Sequence, residues 1–310
     1  MLNILSPTMS FEVGYVCKLP LILAESEMEK IVKLVEKSIA IAKYDWDSFE
    51  TSWDFSKHPF LVQNTERSLK VAFENWRSYT DIQFFQLNAY EEDLNRIFIR
   101  IYGLQDELTP DVEEQDITIK KANLQRDIHS FISYAVGCMF GRYSLDVEGL
   151  VYAGGVWNES KYTTFTPDAD NILPITDEEY FSDDMVARFV EFVKTVYGQE
   201  TLEENLDFIA QAIGNKGTTS REIIRNYFIK DFYADHVKIY QKRPIYWLFD
   251  SGKENGFKAL IYMHRYDQDT VGRVRADYLH KAQAFIENAI NHCDVVRESN
   301  APASEKAKAV

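Results

Sequence analysis

Eight basic residues in the final third of the chain carry the chemistry most readily read from residue type and spacing: Lys216, Arg221, Arg225, Lys242, Arg243, Lys253, Lys258 and Arg265. Lysine and arginine donate to phosphate oxygens, and such contacts fix a protein's register on a duplex without reading its sequence. Lys216, Arg221 and Arg225 flank a helix start predicted from Thr219 and Glu222, which are spaced as a capping box. A helix N-terminus itself favours anions. The other five decorate a predicted hairpin, in which apolar runs at 245–249 and 257–263 enclose a Gly-bounded polar loop at 251–256. Tyr246, Trp247, Phe249, Phe257 and Tyr262 read as the core of that hairpin. Its charged rim is therefore the candidate polyanion site.

Other reaction chemistries find no footing. There is no Gly-x-x-x-x-Gly-Lys-Ser/Thr loop, no Gly-x-Gly-x-x-Gly turn and no Gly-x-Ser-x-Gly elbow. The nearest approach, Ala153-Gly154-Gly155, falls in an irregular stretch. None of His58, His129, His236, His264, His280 and His292 lies one helical turn from another, and Cys-x-x-Cys is absent, which removes the common zinc patterns. His264 reads as a hydrogen-bonded core residue. Acidic clusters such as Glu91-Glu92-Asp93 and Asp183-Asp184 read as solvated helix faces. No catalytic residue and no metal ligand is assigned.

The elements that must position the basic rim have ample material. The 310 residues are 45% hydrophobic and 14% aromatic, enough core for one large domain or two ordinary ones. No apolar run approaches the roughly 18–20 residues of a membrane helix. Cys17, Cys138 and Cys293 are scattered, which fits a reducing cytoplasm better than a disulfide framework. The net charge of −15 opposes nucleic acid when taken as a whole. Its distribution does not: residues 1–215 hold 18 Lys/Arg against 37 Asp/Glu, whereas residues 216–281 hold 13 against 8. A competing reading docks the basic segment against the acidic one within the same fold.

Apolar periodicity and caps predict helices from Ser26 to Ile39, from Thr65 to Tyr102 with Gly103 as the stop, and over 119–139 with Gly137 marking the end. Further helices are predicted over 176–197, 202–213, 223–240 and 269–291. Residues 11–23 read as extended, a strand with no local partner, and 141–174 as an irregular insert. The expected fold class is mainly α with a small antiparallel β hairpin, an α+β multi-helix domain. Four segments follow: a seam strand at 1–24, an acidic helical domain at 25–215, a basic helix–hairpin–helix segment at 216–293, and a frayed tail at 294–310.

Three strings, DWDSFETSWDF (45–55), GRYSLDVEGLVYAGG (141–155) and KRPIYWLFDSGKENGFKALIYMHRY (242–266), resemble the C-terminal half of the PglX-type adenine-specific DNA methyltransferases of BREX phage-defence systems, relatives of the type IIG restriction-modification proteins. The resemblance extends to about Asn291, and residues 2–22 look like the seam where the methyltransferase core ends. It implies S-adenosylmethionine as the family's cofactor and an Asn/Asp-Pro-Pro-Tyr/Phe motif that holds the target adenine. This chain has no two adjacent prolines, so that motif is missing, as is the cofactor loop, and no catalytic residue carries over. The family's C-terminal extension is replaced by a short tail after His292.

The resemblance therefore implies a non-catalytic DNA-recognition or DNA-clamping part of such an enzyme, with no cofactor of its own. Its expected partners are double-stranded DNA, the methyltransferase domain or subunit, and other BREX proteins, in the cytoplasm and away from membranes. The alternative is a scaffold whose acidic surface docks defence proteins or braces the methyltransferase domain without touching DNA.

Overall fold

The computed structural model describes residues 13–17, 20–62, 67–214, 217–253 and 256–299. The chain divides into two compact units: Met1–Trp46 with Tyr79–Lys121, and Asp47–Ser78 with Ala122–Val310. The boundary drawn on charge at residue 215 coincides with neither, because helices on both sides of it belong to the second unit.

The first unit is built on helix α1 (Glu25–Asp47) and the part of α2 (Leu69–Tyr102) that follows Ser78. Ile41 of α1 packs with Phe84 and Leu87 of α2 and with Ile117 and Ile119 from the polar connection beyond. The Asn88 amide donates to the Val112 carbonyl at 3.0 Å, tying that connection to the helix. Gly103, at φ +65°, ends α2 as its sequence position predicts. Helix α1 begins at Glu25, so Ser26 lies inside it instead of capping it. Val13–Val16 forms one helical turn where the sequence suggests an extended segment, and residues 1–12 lie outside the described residues.

The second unit surrounds α3 (Leu124–Met139), whose residues are buried without interruption from Phe131 to Met139. The Asn123 side chain caps it by accepting from the Arg126 amide. Gly137 does not end this helix. A Cβ there would stand 2.4 Å from the Tyr143 ring, so the glycine lets the returning chain close onto the helix. The turn that stops it is at Gly141, φ +75°. Against α3 pack α4 (Met185–Tyr197) and α5 (Leu202–Ile213), followed by α6 (Ser220–Lys230) and α7 (Phe232–Ile239). The helix predicted from Thr176 begins only at Met185, where Asp184 caps it by accepting from the amides of Val186 and Ala187. The helix predicted over 223–240 breaks at Asp231, and that predicted over 269–291 passes through a π-helical stretch, Val274–Leu279, before α8 (His280–Glu298).

The predicted hairpin is present as β2 (Tyr246–Asp250) and β3 (Lys258–Tyr262), paired antiparallel with Tyr246 opposite Tyr262 and Asp250 opposite Lys258. A third strand, β1 (Leu173–Ile175), comes from the end of the irregular insert and pairs on the other side of β3, with Leu173 opposite Leu260. Central β3 is buried along its whole length. Pro174 is tolerated because β1 is an edge strand, where a missing N–H costs no ladder bond. The chain is thus mainly α with a small antiparallel sheet.

Candidate nucleic-acid interface

The turn from α7 into β2 presents two of the predicted cations. Gln241 and Lys242 adopt φ +50° and +65°, and the Lys242 and Arg243 amides donate to the carbonyls of Val237 and Tyr240 at 2.8 and 2.9 Å. His236 fixes the far side of this turn: its Nε2 accepts from the Ile245 and Tyr246 amides at 3.1 and 3.3 Å. Burial, with help from the nearby Arg142 charge, holds the His236 pKa down at about 4, so the imidazole stays neutral and keeps accepting. Lys242 and Arg243 are exposed on this braced turn, and Lys253 is exposed at the hairpin's other end.

The remaining candidates divide by environment. Arg221 is half-exposed and bidentate to Glu203, both contacts at 2.7 Å. Exposed pairs of this kind contribute about 0–1 kcal/mol, so a phosphate can compete for the guanidinium. Arg225 has a different task. Its two terminal nitrogens lie 2.8 Å from the Asp184 oxygens, and one also donates to the Thr176 carbonyl at 2.8 Å. Asp184 is fully buried, so removing the arginine would strand a carboxylate away from water. Lys258, also buried, donates to the Ile229 carbonyl at 2.8 Å and pairs with Asp250 at 3.2 Å. Arg265 donates to the carbonyls of Phe140, Asp168 and Ala169 and lies 4.4 Å from the Trp157 ring. Arg225, Lys258 and Arg265 thus direct donors to partners within the protein. Lys216 lies outside the described residues. Lys242, Arg243 and Lys253, with Arg221 on the neighbouring helix, are exposed.

Beneath the hairpin lies a buried polar floor that residue spacing did not reveal. Arg142 donates to the hydroxyls of Tyr143 and Tyr262 at 3.1 and 3.3 Å, and the Tyr262 hydroxyl donates to the Tyr152 carbonyl at 2.8 Å. Ser133 donates to the buried Glu50 carboxyl, whose pKa is raised chiefly by burial. The Tyr246 ring stacks on Phe140 at 5.3 Å. Asn171 completes the strand end: its amide nitrogen donates to the Tyr262 carbonyl at 3.0 Å and its oxygen accepts from the Tyr262 amide at 3.2 Å. The three strings that carry the family resemblance meet here, since Phe55 packs on Tyr143 at 5.3 Å and Arg142 reaches Tyr262.

A second group is acidic. The Asp168, Asp170 and Asp183 carboxylates come within 4.8 Å of one another, and the Tyr278 hydroxyl lies 2.6 Å from Asp183 and 3.0 Å from Asp170. Burial, then the neighbouring Asp170 charge, pushes Asp168 up to about 7. The Tyr278 hydroxyl, placed between Asp170 and Asp183, relieves part of the repulsion. Asp168 and Arg265 also line a cleft of about 380 Å³ walled by Trp157 and Tyr162, whose rings stack at 4.9 Å. No helix among the described residues is long and apolar enough to cross a membrane.

No protein-family model matches the chain. It is 48% identical over 314 residues to the adenine-specific methyltransferase PglX of Lacticaseibacillus casei (strain Zhang), covering 99% of this chain and 26% of that protein. The adenine-specific methyltransferase BrxX of Escherichia coli O9:H4 (strain HS) is 39% identical over 305 residues, with 89% of this chain and 25% of that protein covered. The chain is homologous to part of a PglX-type protein. It spans about a quarter of the length of the curated relatives it matches. The PglX resemblance read from three strings holds over nearly all of the chain, and each of those strings supplies side chains to one packed network.

Proposed function

We propose that this chain is the DNA-clamping part of a PglX-type adenine-specific DNA methyltransferase of phage defence, and that it carries none of the methyl-transfer chemistry. The observation that carries the reading is the match of nearly the whole chain to a quarter of PglX, in a sequence without two adjacent prolines. The target adenine and S-adenosylmethionine are then handled by the portion of the enzyme outside this chain. What this segment supplies is phosphate contact from Lys242, Arg243 and Lys253 on a turn held rigid by His236, against duplex DNA. Such contacts set register and leave sequence reading to other groups. Incubating the purified chain with labelled S-adenosylmethionine and a duplex oligonucleotide tests the division of labour. No label is expected in the DNA, and turnover by the isolated chain would overturn it.

A further inference from the structure

The outward face of α1 is apolar at Met28, Val32, Val35 and Ile39, spaced four, three and four residues apart. These side chains are 44%, 43%, 37% and 60% exposed. At 100° per residue they fall in one stripe about 17 Å long. The residues α1 buries in its own unit, Leu34 and Ile41, lie roughly 140° around the helix from that stripe. So α1 has two apolar faces, and one of them has no cover among the described residues. A surface helix normally shows one.

The patch continues beyond the helix start. Leu21 and Leu23 are 74% and 70% exposed, and the segment that holds them is fixed in place. The Tyr102 hydroxyl donates to the Pro20 carbonyl at 2.7 Å and lies 3.3 Å from the Ile22 amide nitrogen. An apolar surface of this extent, presented by ordered backbone, marks an interaction site.

We infer that this face docks the remaining three quarters of the PglX-type protein, and so braces the part that performs methyl transfer. One observation chooses this occupant. The relatives carry about three times as many residues outside the matched stretch as within it, which supplies a covering surface in the same chain. This inference is independent of the DNA grip, since the rim residues lie in the other unit.

Hydroxyl-radical footprinting, which reads side-chain exposure, tests it on two proteins: this chain alone and full-length PglX of Lacticaseibacillus casei. Labelling normalised to intrinsic residue reactivity is expected to be at least fivefold slower in the helix of PglX that matches α1 than in α1 of this chain, which should sediment as a monomer. Equal labelling in the two proteins would overturn the inference. So would a dimer of this chain that the double variant Val32→Glu, Ile39→Glu dissociates, because the occupant would then be a second copy.

Discussion

At the scale of single residues, type and spacing could not separate cations that work outward from cations that work inward. Arg225 and Arg243 look alike in the sequence, but the partner of Arg225 is Asp184, 41 positions away and closed off from water. Local pattern carries no information about such a partner. It does place Lys242, Arg243 and Lys253 in a turn and a loop, where their side chains are exposed. Asp168 offers a direct test of the acidic group. Its pKa is raised, so the folded state keeps a proton that the unfolded chain releases above about pH 4, and stability falls as pH rises from there to about 7. Asp168→Asn keeps an oxygen for the Ile172 amide and cannot ionise. Urea unfolding at a series of pH values should show its advantage growing from pH 4 to 7 and level above, reaching on the order of 4 kcal/mol. A pH-independent difference would show that the carboxylates are relieved in another way.

Elements were legible where their own residues decide them. The hairpin was, since its two apolar runs and Gly-bounded loop are local, and so was the stop at Gly103. Strand β1 was not, because three residues including a proline become a strand only when β3 lies beside them. Gly137 was misread for the same reason: its meaning lies in the Tyr143 ring that arrives six residues later. Gly137→Ala sets two effects against each other. Alanine favours a helix interior by about 1 kcal/mol, and overpacking costs about 1–3 kcal/mol. The Tyr143 ring is stacked on Tyr134 at 5.2 Å and held edge-on by Phe55, so it has little room to yield. The packing cost should win, and thermal unfolding should report a lower midpoint for the variant. A higher midpoint would mean that Tyr143 moves aside.

The whole molecule was least legible. The two compact units interleave along the chain: it leaves the first at residue 47, returns at 79 and leaves again after 121. Charge could not reveal that, because the acidic residues occur in both units. What charge did show is the contrast between a protein of net −15 and a basic segment of 13 Lys/Arg against 8 Asp/Glu. Some of those charges are paired across residue 215, Arg225 with the buried Asp184 and the half-exposed Arg221 with Glu203. The competing reading, in which basic and acidic segments neutralise each other within the fold, is thus realised for part of the segment.

The most direct test of the charged rim is a salt titration of duplex-DNA binding by the isolated chain, beside the triple variant Lys242→Glu, Arg243→Glu, Lys253→Glu. Three phosphate contacts should give a log–log slope of about −2.7 for the unaltered chain. The variant should bind far more weakly and with a shallower slope. Negligible binding by the unaltered chain at low salt, or identical slopes for the two proteins, would contradict the proposed grip on DNA.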